Sequence, residues 1–319
     1  MYDTIIVGNG IAGMTAAIYA KRANLNFKIV GEDEYSVGQI ENAVLVENYP
    51  GVKGITGYDL GNSIKEQMEE MGITIEEKRV VNITKIENLS SEHFIINYED
   101  GTEDEATTVV YALGAKHRPL SDICPTREDV LCHYCAICDG ALYKGKKVAI
   151  IGGGNSAFTE AIYLSNIASS VTIITDRIVA DNILQQKVAD TDNIFIYNGS
   201  KLTEITKEMF ITPSLNGDEE EITNDENIII YFESEGKNQK KQFDGLFSAI
   251  GMIPQSQCCP SGVERTYGGF IIANEWGETN VDGFYAVGDI RHKMLRQAIT
   301  AAADGANCIS AIEEYLRYC

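Results

Sequence analysis

Thr4-Ile5-Ile6-Val7-Gly8-Asn9-Gly10-Ile11-Ala12-Gly13 decides how this chain folds. Thr4 to Val7 form a short apolar run, the pattern of a parallel strand covered on both faces. A G-x-G-x-x-G turn follows, then helical sequence from Met14 through Ala20, then a second strand at Phe27-Lys28-Ile29-Val30. Strand, glycine turn, helix and strand make a βαβ opening. Its glycines permit a tight turn, close approach of the backbone to a pyrophosphate, and close packing of helix on strand. The start of the helix supplies free N–H donors and partial positive charge for phosphates.

Working outward, residues 54–72 read as an amphipathic helix with Leu60, Ile64, Met68 and Met71 on one face. Residues 79–99 alternate like antiparallel strands, and Val109 to Ala115 read as a strand that ends in glycine, at Gly114. The opening pattern then restarts. Lys147-Val148-Ala149-Ile150-Ile151 is a strand, Gly152-Gly153-Gly154-Asn155-Ser156-Ala157 a G-x-G-x-x-A turn, Phe158 to Asn166 a helix, and Val171-Thr172-Ile173-Ile174 the next strand. Residues 194–234 alternate again, with turn signals at Asn198-Gly199 and Asn216-Gly217-Asp218. From Gly245 the sequence returns to the first domain, with a strand at Phe284 to Val287 running into Gly288-Asp289, and helical sequence from Arg296 to Tyr318. The fold class expected is α/β: two Rossmann-like, three-layer dinucleotide-binding domains, the second inserted in the first. Residues 1–116 and 247–319 form the discontinuous first domain and 117–246 the second. The two βαβ openings are the only internal repeat.

The 319 residues, 44% hydrophobic and 23% charged, suffice for two domains with separate cores. A formal charge of −21 argues against nucleic acid or an anionic membrane as partner, because like charges repel. An acidic partner would need local basic clusters. Three are candidates: Lys116-His117-Arg118, Lys144 with Lys146-Lys147, and Arg291-His292-Lys293 with Arg296. No apolar stretch reaches the length of a membrane span. Met1-Tyr2-Asp3 leads straight into a strand with no basic n-region and no cleavage site, so the expected location is cytoplasmic.

Eight cysteines do not make a disulfide scaffold in a chain of this size. Cys135-Ala136-Ile137-Cys138-Asp139-Gly140 stands between the two glycine turns. A C-x-x-C can be a metal knuckle, a redox pair or chance; between two nucleotide folds, electron transfer from a nucleotide cofactor onto a disulfide leads. Cys132, Cys135 and Cys138 also begin an iron–sulfur pattern, but its fourth cysteine would fall at Leu142, leaving only Cys124 and Cys259 as remote ligands. A zinc site lacks a second C-x-x-C or a histidine pair. No metal is expected, and Cys124, Cys132, Cys258, Cys259, Cys308 and Cys319 are read as reduced thiols.

In order and over essentially the whole chain, these elements resemble the low-molecular-weight thioredoxin reductases. The matching residues are Gly8 to Gly13, Gly38-Gln39, Glu47-Asn48-Tyr49-Pro50-Gly51, Cys135 to Gly140, Gly152 to Ala157, Gly251-Met252-Ile253-Pro254, and Gly288-Asp289-Ile290 with Arg296-Gln297-Ala298. The resemblance implies FAD in the first domain. Gly8, Gly10 and Gly13 would face the pyrophosphate, Glu32 the adenosine ribose, and Gln39 and Asn48 the flavin side. Gly114 would line the cofactor, Asp289 would bind the ribityl chain, and Arg296, Gln297 and Ala298 would lie along the isoalloxazine. It further implies that Cys138 is the sulfur next to the flavin, that Cys135 attacks the disulfide of thioredoxin, and that Asp139 is the general acid/base for the leaving thiolate. A C-x-x-C disulfide is short and reversible and its leaving thiolate has a depressed pKa. A carboxyl buried beside a flavin has a raised pKa suited to proton transfer. The plain alternative for Asp139-Gly140 is a turn. A homodimer is expected, with the second domain swinging about hinges near Lys116–Pro119 and Asp244–Phe247.

The resemblance breaks at Thr175-Asp176-Arg177-Ile178-Val179-Ala180. NADPH-dependent members carry a His-Arg-Arg there and a later Arg; here only Arg177 remains, and a carboxylate at Asp176 repels a 2′-phosphate. Two readings of the donor stand. In one, Asp176 binds the free ribose hydroxyl of NADH. In the other, the nicotinamide site is vestigial and electrons come from reduced ferredoxin, as in the ferredoxin-dependent flavin thioredoxin reductases, or from a deazaflavin; ferredoxin is preferred. The intact second turn favours NADH, and the acidic charge weighs against docking an acidic ferredoxin. Two other functions are open: a ferredoxin–NAD(P) reductase-like enzyme, a branch without the C-x-x-C, and a redox-sensing flavoprotein without turnover.

Overall fold

The computed structural model describes residues 1–43, 45–88, 91–127, 129–209 and 226–318. In chain order the elements are β1 (Tyr2–Val7), α1 (Ile11–Arg22), β2 (Phe27–Gly31), α2 (Gly57–Glu70), β3 (Ile75–Glu77), β4 (Val80–Asn88), β5 (Ser91–Tyr98), β6 (Glu103–Tyr111) and β7 (Ala115–His117). They continue with α3 (Ala136–Asp139), β8 (Lys147–Ile151), α4 (Asn155–Ser165), β9 (Ser170–Ile174), α5 (Asn182–Ala189), β10 (Ile194–Tyr197), β11 (Lys201–Met209), β12 (Glu226–Ser234) and β13 (Lys237–Phe243). The last are β14 (Gly245–Ser248), β15 (Met252–Pro254), β16 (Phe284–Ala286) and α6 (Ala298–Leu316). The Asn216-Gly217-Asp218 turn and Cys319 lie outside the described residues.

Contacts divide the chain into two compact units, Met1–Lys116 with Ile253–Cys319, and His117–Met252. The chain re-enters the first unit at Ile253 rather than at residue 247, because Gly245–Ser248 completes the parallel sheet of the second unit beside Val148–Ile151. Asp244–Phe247 therefore end inside that sheet, and the crossings fall at residues 116/117 and 252/253.

In the first unit the sheet runs β3-β2-β1-β6-β5-β4, and β16 joins β6 beyond the point where β5 leaves it. Residues of the central strands alternate between two cores, which is why their sequence is apolar without a break. Ile6, Ile29 and Val110 face α1 and α6 through Met14, Ala17, Ile18, Ile309 and Ile312. Ile5, Val7, Val109 and Tyr111 face the β4–β5 side through Ile83, Phe94 and Ile96. The second unit repeats this plan. Its parallel sheet, β10-β9-β8-β14, packs Val148, Ile150, Val171 and Ile173 against Ala157, Phe158, Ala161 and Leu164 of α4. Its other face packs Ala149, Ile151, Ile174 and Leu246 against Ile205, Ile228, Ile230 and Phe232 of the antiparallel β11-β12-β13 sheet. Both units are three-layer α/β sandwiches, the class the alternation implies.

Two sequence boundaries shift. The 54–72 helix begins only at Gly57, capped by Thr56, whose side chain accepts from the Asp59 amide. The C-terminal helix begins at Ala298, because Gln297 and Thr300 close a reciprocal capping box. Among the described residues no helix is long and apolar enough to cross a membrane.

Candidate active site

A disulfide joins Cys135 and Cys138, with Cα atoms 5.3 Å apart. The two stand at the start of the single turn α3. Cys135 caps it: its sulfur accepts from the Cys138 amide at 3.2 Å and its carbonyl from the Asp139 amide at 3.0 Å. Gly140 continues from this turn in ordinary helical backbone. A side chain there would press on Leu164 and Tyr163, so its absence lets α3 lie against α4. Gly140 thus serves packing, and its backbone is not left-handed.

Asp139 is buried, 6% exposed. Its Oδ2 lies 2.9 Å from His133 Nδ1, and its Oδ1 has no hydrogen-bond partner among the described residues. His133, 4% exposed, places Nε2 2.7 Å from the Tyr143 hydroxyl. Backbone pairing fixes the histidine from outside: its amide donates to the Leu246 carbonyl at 2.9 Å, and its carbonyl accepts from the Ser248 amide at 2.7 Å. Phe247 flanks the imidazole with ring centres 5.2 Å apart. Burial pushes the Tyr143 phenol up to about 12, helped by the negative fields of Asp139, Cys132 and Asp244. Neither His133 nor Tyr143 was legible as a site residue; each reads as an ordinary polar residue near the C-x-x-C.

Cys132 is a free thiol pushed up to about 12 by burial, so it is neither a nucleophile nor a ready ligand. Cys124, Cys258, Cys259 and Cys308 are also free and buried. Among the described residues no group of three or more His, Cys, Asp or Glu is placed to hold a metal ion.

In the first unit the turn after β1 has the shape a nucleotide needs. Gly8 has φ 111°, a left-handed conformation that favours glycine, and a Cβ there would stand 2.6 Å from the Ala112 carbonyl oxygen. A Cβ on Gly13 would collide with the Gly8 carbonyl. Gly10 differs: it caps α1, and nothing lies within 4 Å of where its Cβ would be. Gly38 comes against Gly10, and Gly288 against Ala12, so Gln39 and Asp289 converge on the start of α1. Gly114 is left-handed at φ 65° and its carbonyl accepts from the Gln255 amide at 3.0 Å. Asn48 donates to Gln297 at 2.9 Å, joining two expected contacts that are far apart in sequence. Asp289 Oδ1 is buried without a hydrogen-bond partner among the described residues, and burial raises its carboxyl against the opposing fields of Lys293 and Arg296. Arg296 donates to the Asp289 and Arg291 carbonyls and stacks 4.2 Å above Phe270; Ala298 begins α6. Free space at Gly10 and an orphaned buried acid at Asp289 fit a bound dinucleotide. Glu32 is largely exposed and ion-paired with Arg79 at 3.4 Å, and the preceding Gly31 lies against Asn9 of the turn.

One basic cluster is not a docking surface. Arg291 and Lys293 are buried to 12% and 9% exposure and both bind the Asp304 carboxylate, at 2.9 and 3.0 Å. In the Lys116-His117-Arg118 cluster, Arg118 pairs with Asp122 at 3.7 Å and His117 stacks on Tyr134.

In the second unit the loop after β9 folds onto the second glycine turn. The Val179 and Ala180 amides both donate to the Gly153 carbonyl, at 2.8 and 3.0 Å. Asn155, the first residue of α4, binds Asp181 reciprocally: its side chain donates to the Asp181 carboxylate and accepts from the Asp181 amide, each at 2.8 Å. Asp176 and Arg177 are exposed.

The pyridine nucleotide-disulphide oxidoreductase profile matches residues 2–305. The chain belongs to that family. It is an FAD-binding flavin disulfide oxidoreductase. It is 34% identical to the thioredoxin reductase of Bacillus subtilis (strain 168), over 99% of this chain and 95% of that protein. A solved thioredoxin reductase from Streptococcus pyogenes MGAS5005 superimposes with a TM-score of 0.82 at 33% identity, covering 100% of this chain and 99% of that one. A ferredoxin-flavin thioredoxin reductase from Clostridium acetobutylicum superimposes with a TM-score of 0.51 at 28% identity, over 99% and 98% of the two chains.

Proposed function

We propose that this flavoprotein reduces thioredoxin through the Cys135–Cys138 disulfide, with reduced ferredoxin rather than NADPH as electron donor. The observation that carries the disulfide chemistry is the buried Asp139 carboxyl, next to Cys138 on a one-turn helix, with one oxygen anchored and the other without a partner. Gly8, Gly10, Gly13, Gln39, Asn48, Gly114, Asp289, Arg296, Gln297 and Ala298 would hold the FAD, with Glu32 at its ribose. When bound, FAD supplies the two-electron reduction of the disulfide. Cys138 is the sulfur on the flavin side, and Cys135 attacks the thioredoxin disulfide. Asp139 accepts the attacking thiol's proton and returns it to the thiolate that leaves. The homodimer and the cytoplasmic location belong to the same reading.

The donor assignment rests on the second turn. Asp176 and Asp181 stand on the loop where a 2′-phosphate would need cations, and Asp181 is tied to Asn155 at the start of α4. One observation favours NADH instead: Gly154, the cap of α4, has no atom nearer than Val179 Cγ2 at 4.0 Å from the place of a Cβ, so that helix end is not plugged.

An anaerobic titration followed by flavin absorbance separates the readings. Bleaching by reduced ferredoxin and not by NADPH or NADH is expected; rapid bleaching by NADH overturns the ferredoxin assignment and gives Asp176 to the ribose. Cys138→Ser should abolish thioredoxin reduction and keep the yellow colour, and a variant that still turns over overturns the disulfide mechanism.

A further inference from the structure

The Asp139–His133–Tyr143 chain lies in the second unit beside the disulfide, and no residue of it except Asp139 has a role in the mechanism above. Both joints are short, 2.9 and 2.7 Å, and the three side chains are buried. The sequence order is His133, Asp139, Tyr143, so α3 and the turn that follows it fold back over the histidine, whose own backbone is held by Gly245–Ser248.

We infer that His133 and Tyr143 are positioning residues for the Asp139 carboxyl, holding Oδ2 so that Oδ1 alone exchanges protons with the thiols of the disulfide exchange. The inference rests on the general acid/base reading of Asp139. With the carboxylate ionised, Nδ1–H donates to Oδ2 and Nε2 accepts a hydrogen bond from the Tyr143 hydroxyl. An ionised Oδ2 can only accept, and a phenol that keeps its proton can donate to Nε2, so the pair of contacts favours the tautomer with hydrogen on Nδ1. Cys132 and Asp244 also act on the Tyr143 phenol, and the Lys146 ammonium lies 6.0 Å from its ring centre. The asymmetry is the physical point. A carboxyl with two free oxygens rotates and is solvated in several ways; one with Oδ2 clamped presents a single oxygen in a fixed place.

Protons and electrons balance over the exchange. Asp139 Oδ1 takes the Cys135 thiol proton. The Cys135 thiolate attacks one thioredoxin sulfur, forming a mixed disulfide and breaking the thioredoxin S–S bond, and the leaving thiolate takes the proton back from Oδ1. The Cys138 thiol then gives its proton to Oδ1 and attacks the Cys135 sulfur. The Cys135–Cys138 bond re-forms, and the second thioredoxin thiolate leaves with that proton. Two electrons and two protons pass from the enzyme dithiol to thioredoxin, and Asp139 ends each half as a carboxylate bonded to His133.

The test uses holoenzyme reduced chemically and freed of reductant, mixed rapidly with oxidised thioredoxin, quenched by thiol alkylation and counted by mass, so no electron donor is involved. Asp139→Asn should slow the exchange about 100-fold. His133→Phe, which fills the space without a donor, should slow it roughly tenfold. His133→Asn, whose amide nitrogen can stand where Nδ1 does, should recover most of that loss, and Tyr143→Phe should slow it roughly threefold by releasing the tautomer. The His133→Phe/Asp139→Asn double variant should be no slower than Asp139→Asn alone. A packing role predicts the reverse order, with Phe better than Asn, and effects that multiply; either result overturns the inference, as does a wild-type rate in His133→Phe. Should His133→Phe fail to fold, His133→Asn and Tyr143→Phe, each combined with Asp139→Asn, decide by the same rule. An Asp139→Asn variant at the wild-type rate overturns the acid/base reading itself, whereas slow Asp139→Asn with multiplying effects overturns only the clamp.

Discussion

The two glycine turns share a backbone and differ in what their glycines are for. Gly10 and Gly154 cap their helices in the same extended conformation, with φ −73° and −93°. In the first turn the middle residue is Asn9, whose side chain donates to the Asp33 and Ser36 carbonyls and so holds the loop after β2. In the second turn that residue is Gly153. Its bare backbone admits the 175–180 loop directly, and a Cβ there would collide with the Arg177 carbonyl. Asn9 and Gly153 therefore hold the following loop in different ways, one by a side chain and one by having none. Deeper in the helix the contrast continues. The place held by fully buried Ala16 in α1 is held in α4 by Glu160, whose Oε2 is buried without a hydrogen-bond partner among the described residues. A glycine fingerprint thus marks a turn geometry, and the residues between the glycines say what the turn serves.

The largest effect should come from Gly13→Ala, because the clash is with the Gly8 carbonyl inside the turn itself. It should destabilise the first unit by more than about 3 kcal/mol and abolish flavin retention, read from denaturant unfolding and absorbance. Full flavin retention would place the binding turn elsewhere. Asp289→Ala comes next. Loss of hydrogen bonds to a charged group should weaken FAD binding by about 10–100-fold with little change in the unfolding of either unit, checked by titrating apoprotein with FAD. Gly153→Ala should destabilise the second unit by about 2 kcal/mol and leave flavin content unchanged, since the obstructing Arg177 carbonyl and buried Thr175 hydroxyl both belong to that unit. Loss of flavin in that variant would erase the distinction between the turns.

The smallest effect is pH-dependent. Burial pushes the Glu160 carboxyl from 4.5 up to about 8. Between those values the folded state keeps a proton that the unfolded chain has released, so this group's contribution to stability falls as pH rises from 4.5 and levels off above about 8. Glu160→Gln removes that slope. Its melting-temperature advantage over the parent should grow from pH 5 to pH 8.5, and equal differences at the two pH values would show that the carboxyl is solvated.

Much of this was legible beforehand because it depends on local rules. The apolar runs at Thr4–Val7 and Val148–Ile151, each followed by its glycine turn, specify buried parallel strands and helix starts whatever surrounds them. The convergence of Gly38, Gly288 and Asp289 on α1 was approached only through resemblance, since no local pattern joins segments that distant. The return at Ile253 was missed because Gly245–Ser248 reads as a strand in either unit; only its parallel register with Val148–Ile151 assigns it. The basic cluster at Arg291–Arg296 misled because charge counted along the chain takes no account of Asp304, 13 residues from Arg291 and 11 from Lys293 and bound to both.

The sequence by itself determined that two α/β nucleotide folds flank a Cys-x-x-Cys and that an acid, Asp176, stands before a lone Arg177 after the second turn, because strand burial, glycine turns and charge at a named position are properties of short segments. Only the tertiary structure decided which oxygen of Asp139 is held, that His133 and Tyr143 hold it, and that Gly153 serves its own loop, because hydrogen bonds a few ångströms long depend on backbone from Leu246–Ser248 and residues 175–180 arriving beside them.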